Sequence, residues 1–115
     1  MLSYRHSFHA GNFADVLKHL VEVAILEYLK KKPKPFCYHD SHAAVGLYRL
    51  DSETAQKTGE YESGIAKLLG HEPVSPILRC YLDLISGLNP DGVLTYYPGS
   101  PVIARELLRA DDSIQ

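Results

Sequence analysis

The sequence predicts an α/β domain carrying a helical insertion, and three observations lead to that reading. A long apolar pattern at helical spacing near the start runs into Pro33 and Pro35. A short aromatic strand pattern follows and ends in a loop of small residues, and after a stretch of purely helical character an extended segment, a helix and the start of a strand return. These changes of character divide the chain into residues 1–50 (N-terminal tail, first helix, first strand with its loop), residues 51–92 (helical insertion) and residues 93–115 (return to the α/β unit). With 115 residues, 45% of them hydrophobic, the chain can build one small core.

The first helix is predicted from Phe13 to Lys31. Asn12 is a good N-cap, and Asp15 three residues on approximates a capping box and places an acid in the positive first turn. Phe13, Val16, Leu17, Leu20, Ala24 and Leu29 form the expected core stripe. Asp15, Lys18, His19 and Glu22 fall together on the opposite face, and Lys30, Lys31 and Lys32 suit the negative C-terminal end. Phe36 to His39 then reads as a buried strand, and Asp40 to Gly46 as the loop at its carboxyl end.

Beyond Asp51 one helix is predicted from Glu60 to Leu69, closed by Gly70. A second is capped by Ser75, with Pro76 at its first position, Leu78, Tyr81, Leu82 and Ile85 on its apolar side, and Gly87 after its end. Asn89 to Gly92 is a turn, and Leu94 to Tyr97 an extended segment broken by Pro98 and Gly99. Ser100 and Pro101 start a helix carrying Val102, Ile103, Leu107 and Leu108, and Asp111 to Gln115 turns into another strand.

Twelve basic and fourteen acidic residues give a formal charge of -2, so any contact with nucleic acid must come from a local patch. Cys37 and Cys80 form no C-x-x-C pair and fit reduced thiols in a cytoplasmic protein, and no apolar run resembles a signal peptide or a membrane span. Cys37, His39 and His42 could be written as metal ligands, but a strand puts only the first two on one face, and no second cluster completes a tetrahedral site. Cys80 in an apolar helix and Cys37 in a strand fit small hydrophobes better than nucleophiles. The loop Asp40 to Gly46 sits where α/β folds bind ligands, although an ordinary tight turn would look the same. Pro98 to Pro101 could offer backbone amides to an anionic group, or could simply cap a helix. Tyr4, His6, His9 and Lys18 could stack on bases and touch phosphates, or be a solvated tail.

The run from Tyr4, Arg5, His6 and His9 through Gly11, Asn12, Asp15, Lys18 and His19 closely resembles the opening of the bacterial 23S rRNA adenine-N6 methyltransferases. The resemblance continues through Lys34-Pro35-Phe36, Asp40-Ser41-His42-Ala43, Thr58-Gly59-Glu60-Tyr61 and Tyr96-Tyr97-Pro98-Gly99-Ser100-Pro101, and so covers the whole chain as the N-terminal portion of that family. It implies a partial Rossmann-like class I methyltransferase fold with an inserted helical subdomain, S-adenosyl-L-methionine as cofactor, 23S rRNA as partner, and a monomer in full-length relatives. By similarity, Lys18 and His19 border the cofactor, His42 lies in the first cofactor loop, Ser100 contacts the cofactor from a helix start, and Tyr4 and His6 belong to a tail that closes over the target adenosine. Family members are also known as proteins needed to use external DNA as a nutrient, and that role or a noncatalytic RNA-binding or partner-binding role is the alternative.

Two departures from the family pattern stand out. Ala44 occupies a position where the family has glycine, which implies weaker cofactor binding if the backbone there has positive φ. The Asp-Pro-Pro-Tyr motif that orients the target amine and stacks the extruded base is absent, since the chain has no Pro-Pro pair. Asn89-Pro90-Asp91-Gly92 lacks the second proline and the aromatic. The resemblance therefore implies that these residues alone are inactive.

Overall fold

A computed structural model of the chain describes residues 6–41 and 46–115 and shows a small mixed α/β arrangement. Helix α1 spans Phe13–Leu29. Asn12 caps it as expected, its side chain accepting the Asp15 amide at 2.9 Å, while Asp15 Oδ2 accepts the Gly11 amide at 3.0 Å. This reciprocal pair reaches one residue further back than a capping box. The helix ends at Leu29, two residues before the predicted Lys31, in a chain that is about to enter the extended Pro33 and Pro35 segment.

The buried face of α1 differs from the predicted one. Val16, Val23 and Leu26 are buried together with Asp15 and His19, whereas Phe13 is 74% exposed, Leu17 65% and Leu29 40%. Apolar side chains lie almost all round this helix, so periodicity does not single out one face. The face that meets α4 (Pro76–Leu88) and α5 (Ser100–Leu107) is the one that carries Asp15 and His19.

Strand β1, Cys37–Tyr38, pairs in parallel with β4, Ser113–Ile114. The prediction of a buried strand over Phe36 to His39 is corrected on both counts: the strand is shorter and Cys37 is exposed. Arg109 secures this pairing from outside the ladder. Its guanidinium donates to the carbonyls of Lys30, Lys32 and Lys34 at 3.3, 2.7 and 3.1 Å and to Asp112, whose carboxylate accepts the Phe36 amide at 2.9 Å.

A second pair, β2 (Leu47–Arg49) against β3 (Tyr96–Pro98), is antiparallel and sets Tyr48 opposite Tyr97. No strand was predicted at β2, because three residues are too few to display an alternation. Asn89, buried after α4, joins helix to strand: its amide donates to the carbonyls of Ile85 and Tyr96 and its oxygen accepts the amides of Thr95 and Tyr96.

Along the chain between β2 and β3 come α2 (Glu53–Thr58), a 3-10 turn (Glu60–Ser63), α3 (Ile65–Leu69) and α4. The single helix predicted from Glu60 to Leu69 is thus two pieces broken at Gly64. A Cβ at Gly64 would stand 2.1 Å from the Gly11 carbonyl oxygen, which also accepts the Ile65 amide at 2.9 Å. α4 begins at Pro76 behind its Ser75 cap, as predicted, but runs through Gly87 to Leu88. Val16 and Val23 of α1, Tyr48, Ile65, Tyr81 and Ile85 of α4, Tyr97 and Ile103 form one hydrophobic cluster. No helix among the described residues is long and apolar enough to cross a membrane.

Candidate functional site

The polar side chains of α1 meet those of β1, β3 and α5 in a buried cluster. His19 is 1% exposed, and its Nδ1 lies 2.6 Å from the Tyr97 hydroxyl, which lies 2.7 Å from the Tyr81 hydroxyl. Burial pushes His19 down to about 4 and raises both phenols, so at neutral pH all three groups are uncharged. The relay fixes the imidazole plane and leaves Nε2 buried with no hydrogen-bond partner among the described residues.

A second relay links Glu22 of α1 to Ser100 at the first turn of α5. The Tyr38 hydroxyl lies 3.1 Å from Glu22 Oε2 and 2.9 Å from Asp40 Oδ2, and the Ser100 hydroxyl donates to the same Asp40 oxygen. One phenolic proton cannot serve two carboxylates. Desolvation raises Glu22 to about 7, so its protonated form, which can donate to Tyr38 while Tyr38 donates to Asp40, persists up to near neutral pH. Glu22 Oε1 is likewise buried without a partner among the described residues.

Asp15 anchors the chain that precedes α1. Its carboxylate, 3% exposed, accepts from His6 Nε2 at 2.6 Å and from the Gly11 amide, with Lys18 Nζ 3.9 Å away. His9 Nδ1 and the Asn12 amide both reach Glu60, at 3.0 and 3.1 Å, and the Thr58 hydroxyl donates to the Phe8 carbonyl. His6, Phe8 and His9 are therefore fastened to Asp15, Thr58 and Glu60.

Of the residues singled out in the sequence, His19 is at the centre of the cluster, Lys18 is on its exposed rim, Ser100 is in the second relay and His6 is on Asp15. Tyr4, His42 and Ala44 lie outside the described residues. Ser100 opens α5 one position inside the N-cap, which is Gly99. Tyr81, Tyr97, Glu22 and Tyr38 join the site without having been singled out as site residues. Helical spacing groups Asp15, Lys18, His19 and Glu22 on one side of α1 but predicts that side to face away from the core, whereas Asp15 and His19 are buried.

The polar cluster thus sits at the carboxyl end of the parallel strand β1 and at the start of α5, in a small mixed α/β protein. The family model described as ribosomal RNA large subunit methyltransferase D, RlmJ, matches residues 33–115, and the chain belongs to that family. It is 56% identical over 115 residues to ribosomal RNA large subunit methyltransferase J of Escherichia coli K12, covering all of this chain and 41% of that protein. It is 54% identical over 113 residues to the protein of the same description from Haemophilus influenzae, covering 97% of this chain and 40% of that one. The fold is also that of a Legionella pneumophila protein of known crystal structure, with a TM-score of 0.82 and 39% identity over 92% of this chain and 39% of that one. The chain thus spans about two-fifths of the length of these relatives.

Proposed function

We propose that this chain is the N-terminal portion of an S-adenosyl-L-methionine-dependent methyltransferase acting on N6 of an adenine in 23S rRNA, within a Rossmann-like fold whose residues 51–92 form a helical insertion. The observation that carries the proposal is that His19 Nε2 and Glu22 Oε1 are both buried with no hydrogen-bond partner among the described residues, Glu22 being linked through Tyr38 to Asp40 and Ser100. A buried polar atom without a partner is costly unless a ligand completes it. The cofactor suits such a site, since it offers an ammonium, a carboxylate, ribose hydroxyls and an adenine. When bound it supplies an electrophilic methyl group.

In this reading a neutral His19 makes a hydrogen bond through Nε2 to the cofactor, in an orientation set by Tyr97. Ser100 is held by Asp40 to meet the cofactor at the α5 start, Lys18 borders it from the rim, and His42 contributes from the loop after β1. Tyr4 and His6 close over the target adenosine, with Asp15 holding the His6 ring. No residue of this chain is assigned the orientation of the target amine, because the Asp-Pro-Pro-Tyr motif is not among these 115 residues.

Two outcomes follow. Residues 1–115 alone should transfer no methyl group to protein-free 23S rRNA. The same residues joined to the remaining three-fifths of the Escherichia coli relative should methylate adenine N6, and Ser100→Ala in that chimera should reduce the rate about tenfold or more by freeing the cofactor contact. A folded chimera that modified another atom, or methylation by the isolated chain, would refute the assignment.

A further inference from the structure

We propose that Tyr97, with Tyr81 behind it, is a positioning residue that holds His19 as the tautomer bearing its proton on Nε2, so that the ligand atom meeting His19 is a hydrogen-bond acceptor. This rests on the reading of the cluster as the cofactor site and adds to it the direction of each hydrogen bond. The three groups come from three elements, His19 from α1, Tyr81 from α4 and Tyr97 from β3, and are 1, 0 and 0% exposed. Solvent does not reach them, so the direction of the relay follows from a count of its protons. A neutral imidazole and two phenols bring three protons to two contacts, His19 Nδ1 with Tyr97 at 2.6 Å and Tyr97 with Tyr81 at 2.7 Å. Burial, which pushes His19 down to about 4, keeps the ring from taking up a second proton at neutral pH.

One proton is left over whichever way the relay runs, and its place decides the matter. If Nδ1 donates to Tyr97 and Tyr97 to Tyr81, the Tyr81 proton is stranded in the core, where among the described residues that hydroxyl meets only Tyr97. If Nδ1 and Tyr81 both donate to Tyr97, the Tyr97 proton is stranded instead. When Tyr81 donates to Tyr97 and Tyr97 to Nδ1, the spare proton falls on Nε2, the buried atom with no partner among the described residues. A donor stranded between packed side chains costs free energy that no ligand recovers, whereas a donor at Nε2 is satisfied once an acceptor is bound. The cofactor has acceptors in its carboxylate, its ribose hydroxyls and its adenine ring nitrogens, while its ammonium group has none. His19 in this tautomer therefore selects the former and turns away the latter. Without the Tyr97 hydroxyl either ring nitrogen can hold the proton, and part of the population presents a bare lone pair to the ligand.

The test is nitrogen NMR of protein carrying isotope-labelled histidine, at neutral pH and before any cofactor is added, with His19→Gln identifying the signals. It is run on the chimera with the remaining three-fifths of the Escherichia coli relative and on the chain by itself, since the whole relay lies within these residues. The expected spectrum has a pyridine-type Nδ1 and a pyrrole-type Nε2. Tyr97→Phe should bring the two shifts together as the tautomers exchange, and should raise the chimera's KM for S-adenosyl-L-methionine about tenfold while changing kcat by much less. Tyr81→Phe frees the Tyr97 oxygen to accept from Nδ1 and should move the shifts part-way in the same direction. A merely structural role for these phenols would lower the urea midpoint and leave the nitrogen shifts where they are. A proton on Nδ1 in the parent, or shifts indifferent to Tyr97→Phe, would overturn the proposal. A fixed tautomer combined with a KM that neither Tyr97→Phe nor His19→Gln moves would instead sink the cofactor reading, with the direction of the relay upheld.

Discussion

His19 and Glu22 lie three residues apart on α1 and respond to burial in opposite senses. The imidazole is pushed from 6.5 to about 4, so what it contributes to stability is complete above about pH 6.5 and is lost as pH falls through that window. The carboxyl is raised from 4.5 to about 7, so its contribution is complete below about pH 4.5 and is lost as pH rises toward 7. Between pH 4.5 and 6.5 the two slopes oppose, and the stability of the parent chain should be nearly flat there. Glu22→Gln removes one slope and keeps the shape. Its urea midpoint should then fall steadily as pH is lowered from 6.5 to 4.5, and a midpoint as flat as the parent's would show that these two groups do not compensate. The carboxylates of Glu60 and Asp112, held low by hydrogen bonds from His9 and Arg109, lose their contribution only at more acid pH and stay out of this window. Periodicity places Glu22 beside His19, but it cannot reveal Tyr38, the phenol that bridges Glu22 to Asp40.

Among the elements, the break at Gly64 depends most on a distant part of the chain. The Gly11 carbonyl occupies the space a side chain would need, so Gly64→Ala should cost on the order of 3 kcal/mol or more, read as a drop in urea unfolding free energy. A change below about 1 kcal/mol would mean that the 3-10 turn can retreat from α1 without loss. This break was unreadable locally, because its cause lies in the turn before α1. α4 was readable because its start is local: Ser75 caps, Pro76 fits the first turn, and the Tyr81, Leu82 and Ile85 face repeats at helical spacing. Boundaries moved wherever a tertiary contact intervened, as at β3, which sits two residues later than the first residue predicted and includes Pro98. The buried face of α1 is hidden from periodicity for a related reason, since two apolar faces compete and only the packing of α4 and α5 selects one.

For the molecule as a whole, the α/β character was legible in the order of patterns, and the family in the residue runs around Asp15, Asp40 and Tyr97. The way the two ends of the chain are joined was not. Arg109 reaches back more than seventy positions to three carbonyls between α1 and β1, and nothing in a run of Lys and Pro announces a guanidinium partner. Arg109→Ala should leave α1 and α4 protected from hydrogen exchange while the Ser113 and Gln115 amides, which pair with β1, exchange markedly faster. Unaltered protection of those two amides would show that the ladder needs no such support.

That guanidinium also sets an order of events during synthesis. Its contacts tie residues made early to residues made among the last few of these 115, so a ribosome must release Asp112 before the clasp can close. Until then the carbonyls of Lys30, Lys32 and Lys34 lack their guanidinium donor, and β1 has no β4 to pair with.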